Sequence, residues 1–514
     1  MITVNKQSLN SLLAGMLIDP SVLENIDVSG ISLDSRQVQA GGLFLSLSAD
    51  DSQRLTYLEQ AISSGVSVVL YEQSDDLTSN EITALAKENI AAYAIRNLAD
   101  KAGEIAARFY GHPSLALTVI AVTGTNGKTS VSQFIAQSLE LLGLPCGIVG
   151  TLGVGRLNQL VNTGMTTPDP VTLQSVLAGF CQQDIKYAII EASSHALQQG
   201  RLNSITIDVA VLTNLTRDHL DYHKNMDDYA AAKAHLFSFQ SLKTAIINCD
   251  DDFGQTLIAS LSNTEGLNVW SYSREDEKAT FYARNSQATQ QGIEFDIESE
   301  YGSATINSPL LGRFNIDNLL ATTASLFAID IPLEDITRVI KKCHSVNGRM
   351  ESYGNEQQAQ IVVDFAHTPD ALTQALSSLR AHVPAKGKLW CVFGCGGDRD
   401  VGKRAEMGRC AEQNADRVVL TDDNPRSENS AEIVSDVLSG MTAPENVYIE
   451  HDRKLAISYA IAHATSNDIV LVAGKGHEQY QETSGVKHPF SDASVVIEML
   501  AANDPHSTQL RVGA

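Results

Sequence analysis

The sequence predicts an α/β protein of three domains: a small α/β domain first, a central domain on a mostly parallel sheet, and a C-terminal α/β domain. Three observations predict it. A chain of 514 residues is more than one hydrophobic core organises, and about 150 residues per domain suggests three or so units. Short apolar runs alternate with helical patterns along the whole length, which is the order parallel sheets require. Two polar, glycine-bearing punctuations, GHPS at 111–114 and HSVNGRM at 344–350, interrupt that alternation. The expected domains are 1–112, 113–345 and 346–514.

The first domain is read from GLFLSL (42–47) and GVSVVLY (65–71), strand-length apolar runs separated by helical patterns. Its opening, MITVNKQSLNSLL, has no basic start followed by a long apolar run, and no stretch of the chain is long enough to span a bilayer. Seven scattered cysteines, an odd number, fit a reducing compartment better than a disulfide framework, so a cytoplasmic protein is expected. Only Cys391 and Cys395 lie close together. With no second Cys or His pair nearby they read as one strand thiol and one loop thiol rather than a zinc site. Apolar residues make up 43% and charged residues 19%, ordinary globular values, with a loose end expected over 503–514. A net charge of −24 opposes nucleic acid and anionic membrane as partners, because the phosphate term is repulsive.

The central domain opens after GHPS, with strands expected at 117–123, 187–191, 208–213 and 245–248. Its first strand runs into TVIAVTGTNGKTS (118–130), an apolar run ending in a glycine-bearing loop and then Lys and Thr. That order describes a triphosphate cradle of the P-loop type. Backbone N–H groups around Gly124 and Gly127 can face phosphate oxygens, Lys128 can reach the outer phosphates, and the Thr129 hydroxyl can hold Mg²⁺ at a helix start. The loop is shorter than the usual Walker spacing, which has a glycine where this chain has Val122. Gly124, Thr125, Asn126, Gly127, Lys128, Thr129 and Ser130 are therefore the candidate ATP-binding stretch. Farther on, Glu191 closes an apolar strand, where a carboxylate beside a phosphate loop of the same sheet can hold Mg²⁺. His219, after another strand, is a candidate for a second metal. Lys233 lies four residues after Tyr229 and so on the same helical face; taken alone it reads as a solvated lysine.

In the third domain the apolar runs IVVDF (361–365), LWCVFG (389–394), RVVLT (417–421) and DIVLVAG (468–474) each pass into a polar loop. A Rossmann-like sheet would bring these loops together at the carboxyl ends of its strands, the ligand crevice of open α/β folds. The guanidiniums of Arg399 and Arg426 offer planar forks for carboxylates, and Glu478 suits an ammonium. Together they describe an amino-acid substrate.

The segments TGTNGKT, EASSHALQQGRL, TNLTRDHLDYH, YAAAKAHLF, GRFNIDNLLA and NGRME occur in the order found in Mur ligases, and the chain resembles that family over most of the central region. The resemblance implies a carbamate on Lys233, formed with CO₂, that bridges metal ions together with Thr129, Glu191 and His219. It implies that Asn318 and Arg349 hold the nucleotide and that Asp364 approaches its ribose. It also implies that Leu33 and Ser35 lie near a uridine, and that Thr166, Thr167, Ser193, Gln199 and Arg201 meet a muramoyl-dipeptide. Many relatives have a glycine-containing loop where this chain reads SADDSQR (48–54), so Asp50, Asp51 and Ser52 receive no role.

DNPR, from Asp423 through Asn424 and Pro425 to Arg426, resembles the signature of the subgroup that adds meso-diaminopimelate rather than lysine. FGCGGDRD and GKGHEQYQ, with Gly474 and Glu478, match the same subgroup. Charge agrees with it: the second carboxylate of diaminopimelate needs a cation, whereas the terminal ammonium of lysine would be repelled by Arg426. The implied reaction is ATP-dependent, ADP-forming amide synthesis, in which meso-diaminopimelate is added to the D-glutamyl γ-carboxylate of UDP-N-acetylmuramoyl-L-Ala-D-Glu through an acyl phosphate. Catalysis falls to Lys128, Glu191, His219 and Lys233. Reactants on different domains imply closure, with a hinge expected near Asn347. Two alternatives are a folate polyglutamylating ligase, which should lack the DNPR and GKGHE pairing, and a nucleotide-dependent switch, which would leave the third-domain loops without a task.

Overall fold

The computed structural model describes residues 6–17, 23–48, 50–73, 77–219, 222–346, 348–355 and 357–502, with backbone alone at 51 and 52. The expected hinge at Asn347 and the expected loose end at 503–514 lie outside the described residues. The chain forms two compact units, Met1–Thr280 with Ala321–Pro332, and Phe281–Leu320 with Leu333–Ala514.

The first unit carries a short antiparallel pair, Gln7–Ser8 with Asp27–Val28, and two larger sheets. Strands β1 (Ile31–Ser32), β2 (Leu43–Ser46), β3 (Val68–Glu72) and β4 (Ala91–Ile95) are parallel and lie in chain order. Helices Asp51–Ser63 and Ser79–Lys87 cross between them. Leu43, Leu45, Val68 and Leu70 pack on one side while Phe44 and Val69 pack on the other. Burial on both faces makes such strands continuous apolar runs, which is why GLFLSL and GVSVVLY were readable.

The central sheet contains β5 (Thr118–Thr123), β6 (Cys146–Gly150), β7 (Gly153–Gly155), β8 (Tyr187–Glu191), β9 (Val209–Leu212), β10 (Thr244–Asn248) and β11 (Asn268–Ser273). Within this unit their order is β11-β10-β9-β5-β8-β6-β7, parallel except for β7, which turns back on β6. Chain order reverses at β5. Its register sets Glu191 beside Val122 and Leu212 beside Thr123, so three strands end together at that switch point, where open sheets bind ligands.

The second unit begins with an antiparallel meander, β12 (Phe281–Thr289), β13 (Gly292–Ser299) and β14 (Gly302–Ser308). A six-stranded sheet follows, built from β15 (Glu351–Tyr353), β16 (Gln360–Asp364), β17 (Leu389–Phe393), β18 (Arg417–Leu420), β19 (Tyr448–Ile449) and β20 (Ile469–Ala473), in the order β15-β16-β20-β17-β18-β19. All but β15 run parallel. Val362, Cys391, Phe393 and Leu471 face one core, and Ile361, Val363, Val392 and Val472 the other. A hairpin, β21 (Tyr480–Thr483) with β22 (Val486–Pro489), follows β20. The α/β class with mostly parallel sheets is therefore the observed architecture. All seven cysteines are free thiols, Cys391 inside β17 and Cys395 in the loop after it. Among the described residues, no helix is long and apolar enough to cross a membrane.

Candidate active site

The loop after β5 is a backbone cradle. Gly124 takes φ +145°, and a Cβ there would stand 1.8 Å from Thr213 Oγ1, so only glycine fits. Thr213 ends the neighbouring strand and donates to the Asn126 carbonyl at 2.5 Å. Asn214 holds the loop from the same side, its carbonyl accepting from Thr125 N–H at 2.8 Å and its Oδ1 from Asn126 N–H at 2.9 Å. Gly127, at φ +87°, precedes the helix Lys128–Leu141, whose first-turn N–H groups have no intrahelical partner. Lys128 Nζ folds back onto the Gly124 and Thr125 carbonyls at 2.8 and 2.9 Å. Burial pushes this ammonium below its ordinary range, while the Glu191 and Asp218 carboxylates oppose the shift.

Glu191, only 1% exposed, is the point on which two groups of predicted residues meet. Its Oε2 accepts from Thr129 Oγ1 at 2.8 Å and from Thr151 Oγ1 at 3.0 Å, and its Oε1 accepts from Thr151 N–H at 3.1 Å. Burial raises its carboxyl pKa, against the pull of these hydrogen bonds and of Lys128. Its main-chain carbonyl accepts from Thr167 Oγ1 at 2.6 Å. Thr167 in turn approaches Ser193 Oγ at 3.2 Å, and its carbonyl accepts from Arg201 Nη1 at 2.6 Å. Arg201 also grips Gln199 Oε1, at 2.6 and 3.0 Å. Thr166 Oγ1 lies 3.0 Å from Thr151 Oγ1. Thr166, Thr167, Ser193, Gln199 and Arg201, expected together, thus form one network rooted in Glu191.

Lys233 is 1% exposed, not solvated. The helix Met226–Ala234 turns it inward, with Nζ 2.7 Å from the Gly124 carbonyl and 4.4 Å from the centre of the Tyr229 ring, the i,i+4 neighbour. Burial first, and the Lys128 cation second, push its ammonium down to about 6, with Asp218 opposing. A neutral amine beside the phosphate loop results. His219, at φ 52° and 45% side-chain exposure, stands 3.5 Å from Asp218 and edge-on to the Tyr229 ring, with centroids 6.1 Å apart. Among the described residues no three His, Cys, Asp or Glu side chains form a ready metal cluster. In the four-stranded sheet region, Ser35 is buried and donates to Gln60 Oε1 at 2.8 Å, and Leu33 packs on the core.

In the second unit Asn318 is buried on the helix Phe314–Phe327 and donates to Asn315 Oδ1 at 2.9 Å. Asp364, at the end of β16, accepts from Met350 and Ala366 N–H, both at 2.8 Å. Burial raises its carboxyl pKa, opposed by those bonds and by Arg349. The Arg349 guanidinium lies 5.2 Å from the Phe365 ring centre.

The loops after β17, β18 and β20 do converge. Arg426, at φ 52°, donates from Nη1 to the Gly397 carbonyl at 2.7 Å and lies 3.6 Å from Glu482. Asn424 is buried and donates to Glu478 Oε2 at 3.0 Å. Gly474, at φ +118°, places the backbone next to Asp423. Pro425 lends its carbonyl to Glu428 N–H at 3.0 Å. Arg399 is exposed on the neighbouring loop.

Sequence reasoning passed over Thr151, Asn214, Asp218 and Lys475. Thr151 follows β6 directly, the same strand-end position that singled out Glu191, and that rule would have found it. The other three lie inside the quoted segments TNLTRDH and GKGHE; Asn214 meets Asn126 and Lys475 meets Asn424 across 88 and 51 positions, which no spacing rule records.

Comparison with known proteins identifies the family. A profile of the Mur ligase middle domain matches residues 122–326, and one of the Mur ligase, glutamate ligase domain matches 348–476. The UDP-N-acetylmuramoyl-L-alanyl-D-glutamate–2,6-diaminopimelate ligase of Pseudomonas aeruginosa is 44% identical over 489 residues, 95% of this chain and 98% of that protein. A solved structure bearing that enzyme name aligns at TM-score 0.77 and 36% identity, over 97% of this chain and 99% of its own. Folylpolyglutamate synthase of Mycobacterium tuberculosis, complexed with ADP and AMPPCP, aligns at TM-score 0.53 and 18% identity over 72% of this chain and 91% of its own, and so shares the fold alone. The chain belongs to the Mur ligase family.

Proposed function

We propose that this chain is an ATP-dependent, ADP-forming ligase that joins meso-diaminopimelate to the D-glutamyl γ-carboxylate of UDP-N-acetylmuramoyl-L-Ala-D-Glu, a step of peptidoglycan precursor synthesis. The observation that carries it is the double use of Glu191. Its side chain meets Thr129 of the phosphate loop, and its main chain meets Thr167 of the acceptor network. The two reactants of a carboxylate-activation step would thus share one residue.

In the first step an acceptor carboxylate oxygen bonds to the γ-phosphorus of ATP and the bond to ADP breaks. Two anions meet, so Lys128 must neutralise charge as it develops. The Thr129 hydroxyl and Glu191 carboxylate are oxygen donors that suit Mg²⁺, and with a carbamate on Lys233, and His219 beside them, they would hold it. Bound there, the metal supplies positive charge to the phosphate oxygens. The depressed Lys233 amine supports the carbamate, because only a neutral amine attacks CO₂. In the second step the neutral diaminopimelate amine bonds to the acyl carbon, the bond from that carbon to the phosphate oxygen breaks, and the amine's proton leaves with the phosphate. Arg399, the Asp423-Asn424-Pro425-Arg426 loop, Gly474 and Glu478 hold that amino acid so that its amine meets the acyl carbon in near-attack geometry.

Asn318, Arg349 and Asp364 are proposed nucleotide contacts, and Leu33 and Ser35 uridine contacts, on family resemblance. The division into 1–112 for the UDP end, 113–345 for ATP and 346–514 for the amino acid is part of the same proposal, as is a cytoplasmic location, which the seven free thiols support. The test is ADP release by the purified protein with magnesium and bicarbonate. It should require both the UDP-muramoyl dipeptide and meso-diaminopimelate. Release of AMP and pyrophosphate would replace acyl phosphate with adenylation, use of a folate with glutamate would favour the folate ligase, and turnover indifferent to both substrates would favour a switch.

A further inference from the structure

We infer that Lys475 is the positioning residue that sets amino-acid recognition, by locking Asn424 and Glu478 into one orientation from beneath the pocket. The inference deepens the proposed diaminopimelate site and rests on that reading.

Lys475 is 0% exposed, the wrong place for a lysine that merely decorates a loop. Its Nζ donates to Asn424 Oδ1 at 2.9 Å, to the Tyr480 carbonyl at 2.8 Å and to Glu478 Oε2 at 3.3 Å. Three donors thus have three acceptors, with Asp423 Oδ1 a further 3.4 Å neighbour. The consequence falls on Asn424. Its Oδ1 accepts from Lys475 and also from Glu482 N–H at 2.9 Å, so its Nδ2 must face the other way, toward Glu478 Oε2 at 3.0 Å. Glu478 is therefore held through one oxygen by two donors. Its side chain remains 25% exposed, presenting the rest of the carboxylate to an incoming ammonium.

The same lysine contributes positive charge here, 3.4 Å from Asp423 and 3.3 Å from Glu478, alongside the buried Arg453 guanidinium, whose field both carboxylates also feel. A cation supplied from below leaves the upper face of Glu478 free for the substrate. The hairpin of β21 and β22 completes the mounting: Arg426 N–H donates to the Glu482 carbonyl at 3.0 Å, and Ser484 N–H to the Arg426 carbonyl at 2.6 Å. Lys475 reaches this hairpin through the Tyr480 carbonyl, so it joins the loop after β18, the loop after β20 and the hairpin.

The test uses the full-length protein, with KM measured for meso-diaminopimelate, ATP and the UDP-muramoyl dipeptide by ADP release. Lys475→Met keeps the length of the stem and removes the donors, while Asn424→Asp keeps the Lys475 contact and turns an acceptor toward Glu478. Each should raise the diaminopimelate KM at least about tenfold and leave the other two KM values within about twofold. An unchanged diaminopimelate KM, or a loss spread evenly over all three substrates, would overturn the inference. Should Lys475→Met fail to give a cooperative melt, Lys475→Gln, which keeps a donor but not the charge or the full reach, decides by the same criterion. Wild-type protein that releases no ADP in response to diaminopimelate would instead overturn the proposed function.

Discussion

The proposed carbamylation of Lys233 makes a quantitative demand on its amine. With Nζ titrating at about 6, roughly 97% of the side chain is neutral at pH 7.5, against ~0.1% for an ordinary lysine. The reaction R–NH₂ + HCO₃⁻ → R–NH–COO⁻ + H₂O neither takes up nor releases a proton. At a fixed, sub-saturating bicarbonate concentration, occupancy should therefore be nearly level between about pH 7 and pH 9 for an amine that is already neutral. For a lysine still protonated in that window, occupancy climbs about tenfold per pH unit, because a proton must first be lost. The perturbation is pH, and the assay is ¹³C NMR of the protein in [¹³C]bicarbonate, with Lys233→Arg supplying the background. Below about pH 6 the signal should fall as the amine protonates. A steep rise from pH 7 to 9 would refute the reasoning, since it would mean that burial and the Lys128 charge do not depress this amine.

Three further outcomes follow from contacts already described, and a fourth from a buried ion pair of the second unit. Glu191→Gln keeps the size of the side chain but removes its charge, and kcat should drop on the order of 100-fold with an unchanged melting profile, read by ADP release and circular dichroism. Gly124→Ala should abolish ATP binding in a calorimetric titration, because the added methyl would collide with Thr213 Oγ1. Arg426→Ala should raise the diaminopimelate KM about tenfold or more while ATP affinity stays within about twofold, since a substrate carboxylate loses its charge partner; equal losses would count against the pocket. Arg453 and Asp492 form a fully buried pair at 2.7 Å, so Asp492→Asn should cost about 3–5 kcal/mol, measured by urea denaturation.

Much of this was legible because parallel strands buried on both faces leave continuous apolar runs. IVVDF, LWCVFG and RVVLT stand as β16, β17 and β18 within a residue or so. The Gly124 loop and Glu191 were legible because a strand that stops at a polar residue marks the ligand edge of such a sheet. The meander β12–β14 was not: its strands alternate polar and apolar residues, as in IEFDIE, or are mostly polar, as in NSQAT, and lack the runs that marked the others. Lys233 misled when taken alone, because helical spacing puts it beside Tyr229 but does not say which way that face turns. Lys475 was hidden for a related reason. It meets Asn424 from 51 positions away, and no local pattern records such a meeting.

Glu191 deserves a last consequence. Its carbonyl and its carboxylate belong to one buried residue, so a shift of its main chain displaces the contact to Thr167 and the contact to Thr129 together. If Glu191 holds the metal as proposed, a compound that wedged apart Thr167 and this carbonyl would weaken metal binding without competing for ATP. Resistance through altered nucleotide contacts would then bring no relief, and the vulnerable spot would be a seam, not a pocket.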